Sequence, residues 1–211
     1  PAPLNPHELG LKDNLRGHPV YLSRTVAEID SAPFHLPITR EIQLLFRDLV
    51  RTARRRIILE GQYFWSSEIN DLLIAKIHQM RNRDFEIDLI LSELGRARSL
   101  TRHMASYELG LLGKLATAAE YSNVRLRMGA PYSFPPPERR GSPPKPIYIH
   151  SKVAVVDDRF LCVGSANLAS RALRIDTEIN LTLEARDERE RAHIRRFSRE
   201  LLKHWGLEKP Y

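Results

Sequence analysis

Groups able to do chemistry are concentrated in one stretch of this 211-residue chain, Tyr148-Ile149-His150-Ser151-Lys152-Val153-Ala154-Val155-Val156-Asp157, continuing to Gly164-Ser165-Ala166-Asn167. Side chains two apart on a strand project from one face, which sets the His150 imidazole beside the Lys152 ammonium. Ser165 and Asn167 have the same relation if the next strand stays extended that far, and Gly164 leaves room for a backbone or a ligand to approach. An imidazole, an ammonium, a hydroxyl and a carboxamide converging on one point make a poor core and a good receptacle for a tetrahedral anion. Lysine supplies a point charge, serine and asparagine supply neutral donors, and the imidazole can attack phosphorus or carry a proton. Glu178 heads an alternating segment further on. A carboxylate bonded to one nitrogen of His150 would fix the tautomer and raise the nucleophilicity of the other.

A histidine and a lysine two apart are, taken alone, more often solvated surface residues. Here both sit in an otherwise apolar strand, and a second strand brings Gly-Ser-x-Asn after a tight turn at Asp157-Asp158. The string H-x-K-x4-D-x6-G-S-x-N is met at every specified position. It resembles the HKD motif of the phospholipase D superfamily. Ile57-Ile58-Leu59-Glu60-Gly61-Gln62-Tyr63-Phe64 is similar to the E-x-Q-Y-F segment in the C-terminal half of two-motif members, such as bacterial phospholipases D and cardiolipin synthase-like proteins. Arg171, followed by Asp176-Thr177-Glu178, is similar to their closing R…DTE. The resemblance runs from about Val20 to the end. Two departures touch the substrate pocket: Ala169-Ser170-Arg171-Ala172 stands for Asn-Asn-Arg-Ser, and Ile179-Asn180 for Cys-Asp.

The resemblance implies a metal-independent phosphodiesterase or phosphatidyltransferase that needs no cofactor. His150 would attack phosphorus or protonate the leaving alcohol. Lys152 and Asn167 would hold the non-bridging oxygens, with Ser165 assisting and Glu178 orienting His150. Asp157 would be structural, bonding across the pocket. Gln62 is a further pocket candidate. None of the other seven histidines is followed by lysine two residues on, so the chain carries one motif and half a site. The second motif is expected from a homodimer mate or from an upstream half of the same protein. The Pro1 start and the likeness to C-terminal halves favour the upstream half.

The substrate is expected to be a phospholipid or another phosphodiester. A net charge of +7 keeps nucleic acid as the alternative. A non-enzymatic module binding membrane or nucleic acid is a third reading, against which the intact His150, Lys152 and Asn167 argue. With 42% hydrophobic and 28% charged residues the chain reads as a soluble globular protein. No run reaches the roughly 20 apolar residues that span a bilayer, so membrane contact is expected to be peripheral and a cytoplasmic location is one expectation. Cys162, the single cysteine, excludes an internal disulfide and a four-thiolate zinc site.

These residues need a frame. Residues 1–36, with five prolines, read as an extended lead-in with one short strand at Val20-Tyr21-Leu22. Residues 37–211 read as one catalytic domain. Ile42, Leu45, Phe46, Leu49, Val50 and Ala53 mark a helix, ended by Arg54-Arg55-Arg56 against the negative end of its dipole. Ile57-Ile58-Leu59 predicts a buried strand, and Ile69, Leu72, Leu73, Ile77 and Met80 a second helix. Alternation at Phe85, Ile87, Leu89 and Leu91 predicts a strand, followed by a helix near 100–121 and a strand at 124–128. Six prolines between residues 133 and 146 demand a surface loop. Strands are then expected at 147–156, 161–166 and 178–184, and a helix at 187–205. The β–α–β–α–β rhythm predicts an α/β protein, an α-β-α sandwich with a mixed central sheet flanked by helices.

Overall fold

The computed structural model describes residues 19–31, 34–93, 100–135 and 143–207. Strands β1 (Val20–Val26), β4 (Thr39–Arg40), β5 (Arg56–Gly61), β7 (Glu86–Leu91), β8 (Arg125–Gly129), β11 (Val153–Val156), β12 (Phe160–Gly164) and β14 (Glu178–Glu184) form an eight-stranded sheet. Its order is β4-β1-β14-β12-β11-β5-β7-β8. The β5, β7 and β8 strands run parallel, joined through helices α2 (Ser67–Gln79) and α3 (Leu100–Ser122). From β11 to β4 every pairing is antiparallel. The mixed sheet expected from the sequence is present.

Helices cover both faces. Ile42, Phe46, Leu49 and Val50 of α1 (Glu41–Thr52), Leu73 and Ile77 of α2, and Leu111 and Leu115 of α3 pack on Ile57, Leu59, Ile87, Leu89 and Ala154. Helix α5 (Glu188–His204) sets Ile194 and Leu202 against Ile58, Ile90 and Val155 on the other face. Burial on both faces is why β5 and β7 read as nearly continuous apolar runs. The exceptions lie on the α5 face, where Asp88, wholly buried, is paired with Arg56 and Arg127, and Glu86 with Arg56 and Arg125. Beyond α5 this face carries an exposed apolar strip, Val20, Leu22, Val163, Ile179 and Leu181.

The lead-in holds the expected strand and more. β1 is a seven-residue strand pairing with β14 across six residue pairs, and β2 (Ile29–Ser31) and β3 (Phe34–Leu36) form a hairpin. The main sheet therefore begins before residue 37. The short strand expected at Val20-Tyr21-Leu22 is the start of β1, and the rest of β1 lacks an apolar alternation because most of its side chains stay exposed. Residues 1–18 and the middle of the proline-rich loop (136–142) lie outside the described residues. The proline segment is not wholly irregular, because Tyr132–Ser133 (β9) and Lys145–Pro146 (β10) pair as a two-residue ribbon.

The end of α1 is also built differently. The helix stops at Thr52, and its terminal carbonyls are met by a lysine from α2 rather than by Arg54–Arg56. Lys76 is buried and donates from Nζ to the Arg51 carbonyl at 2.6 Å and the Ala53 carbonyl at 3.1 Å. Burial lowers its pKa, and the Asp157 charge partly restores it. Lys76→Met would leave the buried Ala53 carbonyl and the half-buried Arg51 carbonyl without this donor, and a loss of about 2 kcal/mol in urea unfolding is expected. An unchanged midpoint would show that this cap contributes nothing.

Candidate active site

The ladder stops short of His150. β11 begins at Val153, and residues 147–152 run as a chain outside any strand. Consequently His150 and Lys152 do not share a strand face as the sequence suggested: Ile149 and Lys152 are buried, while His150 and Ser151 are exposed. What replaces the ladder is a set of individual tethers. The Ile147 amide donates to the Pro131 carbonyl at 2.9 Å. Gln62 Nε2 donates to the Tyr148 hydroxyl. Ser92 Oγ both accepts from the Ile149 amide at 2.8 Å and donates to its carbonyl at 3.2 Å. Ser151 Oγ donates to Glu60, and the Gly164 amide donates to the Lys152 carbonyl at 3.2 Å. Lys152 curls back so that Nζ donates to the His150 carbonyl. The ammonium and the imidazole-bearing residue are thus neighbours by a different route from the one expected.

The second half of the motif leaves the sheet at Gly164, where β12 ends. Gly164 does not make room for a ligand. A Cβ there would lie 2.1 Å from Asn180 Oδ1 and 2.4 Å from the Ile179 carbonyl, so β14 occupies the space. Asn180 Oδ1 also accepts from the Ala166 amide at 3.3 Å, fixing the turn. Ser165 Oγ donates to Glu178 and accepts from the Ile179 amide at 3.0 Å. Glu178 therefore bonds Ser165, and among the described residues no hydrogen bond joins it to His150. Its charge also acts on Lys152: burial lowers the lysine pKa, and Glu178 offsets part of that shift. Lys152, Glu178 and Ser165 are brought together. Asn167 follows on the same turn, and its buried Oδ1 has no partner among the described residues.

Asp157 lies apart. It sits at the other end of β11, about 16 Å from Lys152 at roughly 3.3 Å per residue. There it occupies a turn in which Asp157 and Asp158 both have φ near +55° (55° and 54°). Its carboxylate accepts from the backbone amides of Arg54 at 2.7 Å and of Arg55 and Arg56 at 2.8 Å. It therefore does not bond across the pocket. It ties the chain leaving α1 to the β11–β12 hairpin. A cleft of about 180 Å³, lined by Arg55, Arg56, Asp84, Glu86, Asp157 and Asp158, opens at that remote end.

An aromatic wall adjoins His150. Its ring lies parallel to that of Tyr148, centroids 6.2 Å apart. Tyr63 and Trp65 stack at 4.0 Å, and burial together with the nearby Tyr148 raises the Tyr63 phenol pKa. Glu108 on α3 anchors this loop, accepting from the Phe64 amide and Trp65 Nε1 at 2.8 Å each, and burial raises its carboxyl pKa. Phe64 and Trp65 (β6, Phe64–Trp65) pair in parallel with Leu168 and Ala169 (β13, Leu168–Ala169), directly after Asn167. Glu60, Ser92, Glu108 and Asn180 carry no role in the sequence reading. A carboxylate amid Ile57-Ile58-Leu59 was the available signal, since a strand buried on both faces has to find it donors.

Residues 46–205 match the family model described as cardiolipin synthase, PLD-like domain. The chain belongs to that family. A 42-residue stretch of this PLD-like protein is 48% identical to phospholipase D A of Dictyostelium discoideum, covering 20% of the chain and 3% of that much longer relative. Among solved structures, Nuc, a phospholipase D family member from Salmonella typhimurium, superposes with a TM-score of 0.56 at 16% identity, over 92% of this chain and 97% of that one. Phosphatidylserine synthase of Haemophilus influenzae gives 0.56 at 16% identity, over 88% of this chain and 39% of its own. NucT of Helicobacter pylori gives 0.53 at 14%, over 88% and 97%. These likenesses establish a shared PLD-like fold. Among the described residues no helix is long and apolar enough to cross a membrane.

Proposed function

We propose that this PLD-like domain supplies one half of a site for phosphodiester hydrolysis or phosphatidyl transfer on phospholipids, with His150 as nucleophile. What supports the reading is the Lys152 ammonium, which donates to the His150 carbonyl and feels the charge of Glu178, itself bonded to Ser165 two residues before Asn167, whose Oδ1 is unpartnered among the described residues. A phosphodiester is anionic, so attack requires fixed positive charge and donors that need no reorganisation. An imidazole nitrogen would bond phosphorus while the bond from phosphorus to the leaving alkoxide oxygen breaks. That oxygen takes its proton from a second histidine, outside this motif. Water or an alcohol then attacks the phosphohistidine while giving its proton to the now neutral second histidine, the P–N bond breaks and both histidines are regenerated. Lys152 and Asn167 hold the non-bridging oxygens through both steps. The second histidine comes from an upstream half of the same protein or from a second copy. No metal enters this scheme.

The family description favours a phospholipid. The +7 charge keeps nucleic acid as the alternative. Vesicles of phosphatidylglycerol or phosphatidylcholine and short DNA, each with and without EDTA, separate the two. Headgroup release that survives EDTA and needs His150 is expected. Cleavage of DNA alone would favour the alternative, and loss of turnover in EDTA would sink the metal-free scheme.

Lys152 gives this scheme a pH signature. The cation is needed for turnover and its pKa is lowered, so the rate should fall on the alkaline side below the ordinary lysine range. Folding stability should run the opposite way. Between the lowered and the ordinary value the unfolded chain binds more protons, so the Lys152 contribution improves as pH rises. Lys152→Arg stays charged and should lose the alkaline limb, though at a slower rate. A limb unchanged in that variant would assign it to another group.

A further inference from the structure

We propose that Glu60 is a positioning residue for His150, coupling the docked end of α5 to the catalytic segment through Ser151 and Trp205. The inference rests on His150 being the reacting group. Residues 147–152 have no ladder to hold them, so the placement of His150 depends on separate tethers, with Ser92 on Ile149 before it and Glu60 on Ser151 after it. Glu60 lies on β5 directly opposite Val153, only 3% exposed, in the sheet's interior. Both of its carboxylate oxygens are used. Oε1 accepts from Ser151 Oγ, and Oε2 accepts from the indole Nε1 of Trp205, the residue that closes α5.

Among the described residues Glu60 has no ion-pair partner, in contrast to Glu86 and Asp88 on the neighbouring strand, which are met by arginines. A buried carboxylate without a cation is costly, and an apolar residue would fill the same space more favourably. What the carboxylate does that an apolar residue cannot is accept from two donors at once, one on the segment bearing His150 and Lys152 and one on α5. Trp205 and Leu201 join the Ile58, Ile90, Ile149 and Val155 cluster, so seating α5 sets the indole, the indole sets Glu60, and Glu60 sets Ser151. Because both flanking residues of Ser151 take part in the chemistry, a shift there moves the imidazole and the ammonium together.

The test compares Ser151→Ala, Ser151→Thr and Trp205→Phe in the full chain, with unfolding midpoints measured alongside. A misplacement near 1 Å costs about 10²-fold. Ser151→Ala should lose about that much in kcat with KM little changed, Trp205→Phe about 10-fold, and Ser151→Thr should recover most of it. If Trp205→Phe lowers the midpoint while kcat stays at the wild-type value, the residue only anchors α5 and the inference is overturned. A second readout does not depend on turnover. The imidazole Hε1 resonance of His150, assigned by its loss in His150→Ala, should shift in Trp205→Phe and in Ser151→Ala. An unmoved resonance in both overturns the coupling. Absence of any turnover in the wild type would mean that the second histidine is missing or that the proposed function fails, and the resonance would still decide this inference.

Discussion

His150→Ala is expected to remove turnover, by at least about 10⁴-fold in kcat, without moving the unfolding midpoint by more than about 0.5 kcal/mol. The two halves of that expectation come from different features of the same residue. His150 is exposed, and among the described residues its ring faces Tyr148 at 6.2 Å, so its removal uncovers no core and orphans no buried donor. The proposed chemistry has no substitute for it within the motif. Lys152 cannot serve as the nucleophile while it neutralises the phosphoryl charge, and Ser165 Oγ is already committed between Glu178 and the Ile179 amide. Substrate labelled with 32P and quenched in alkali should leave an acid-labile phosphoryl on wild-type protein and none on His150→Ala. Label retained by the variant would place the covalent step elsewhere. Residual activity near the wild-type level would remove His150 from the mechanism altogether. Adding Lys152→Ala to His150→Ala should cost little more, because residues that act on one step lose their effects non-additively.

Much of the frame could be read locally. The spacing of Ile42, Phe46, Leu49 and Val50 gives α1, and the same four residues are its buried face. The alternation in residues 85–91 gives β7, and two strands with a tight turn between them give β11 and β12. Such features are local because a helix or strand buries one stripe at a fixed period. The features that escaped are those without a period. Only Val20-Tyr21-Leu22 of β1 is legible locally, because the rest of the strand is held by pairing to β14, more than 150 residues away, with most side chains of β1 exposed. Residues 147–152 look like a strand by composition, yet they are held by Gln62, Ser92 and Glu60, which are 86, 57 and 91 residues distant in sequence. No spacing rule connects Glu60 to Trp205 across 145 positions. Asp157 shows a different limit. Its place in the motif suggested the pocket, whereas its carboxylate serves three amides at the opposite end of β11. Residue types and spacing singled out candidate side chains, of which Lys152, Ser165 and Glu178 come together. The sheet register decided which of them do so at the same end.

Gly164→Ala should be among the most damaging single substitutions in the protein, costing about 3 kcal/mol and most of the activity. The added Cβ would meet Asn180 Oδ1 at 2.1 Å, Asn180 Cγ at 2.6 Å and the Ile179 carbonyl oxygen at 2.4 Å. The amide side chain can swing aside, but only by giving up the Ala166 amide at 3.3 Å and Cys162 Sγ at 3.4 Å, and with them the fixed turn that carries Ser165 and Asn167. The carbonyl cannot swing, because it belongs to β14 and accepts from the Ser165 amide at 2.9 Å. Moving it means prising β14 from β12 at the point where Glu178 meets Ser165. The double variant Gly164→Ala/Asn180→Ala separates the two obstacles. Removing the amide relieves the contacts at 2.1 and 2.6 Å and leaves the one at 2.4 Å, so recovery of stability should be partial and activity should stay low. Gly113→Ala is the control. It is exposed on α3, an added Cβ there meets nothing within 4 Å, and alanine in a helix interior should stabilise by about 1 kcal/mol. Urea unfolding of the three variants, with headgroup release measured in parallel, checks the whole set. A Gly164→Ala protein that unfolds with the wild type would mean that β12 and β14 do not approach this closely beside the site.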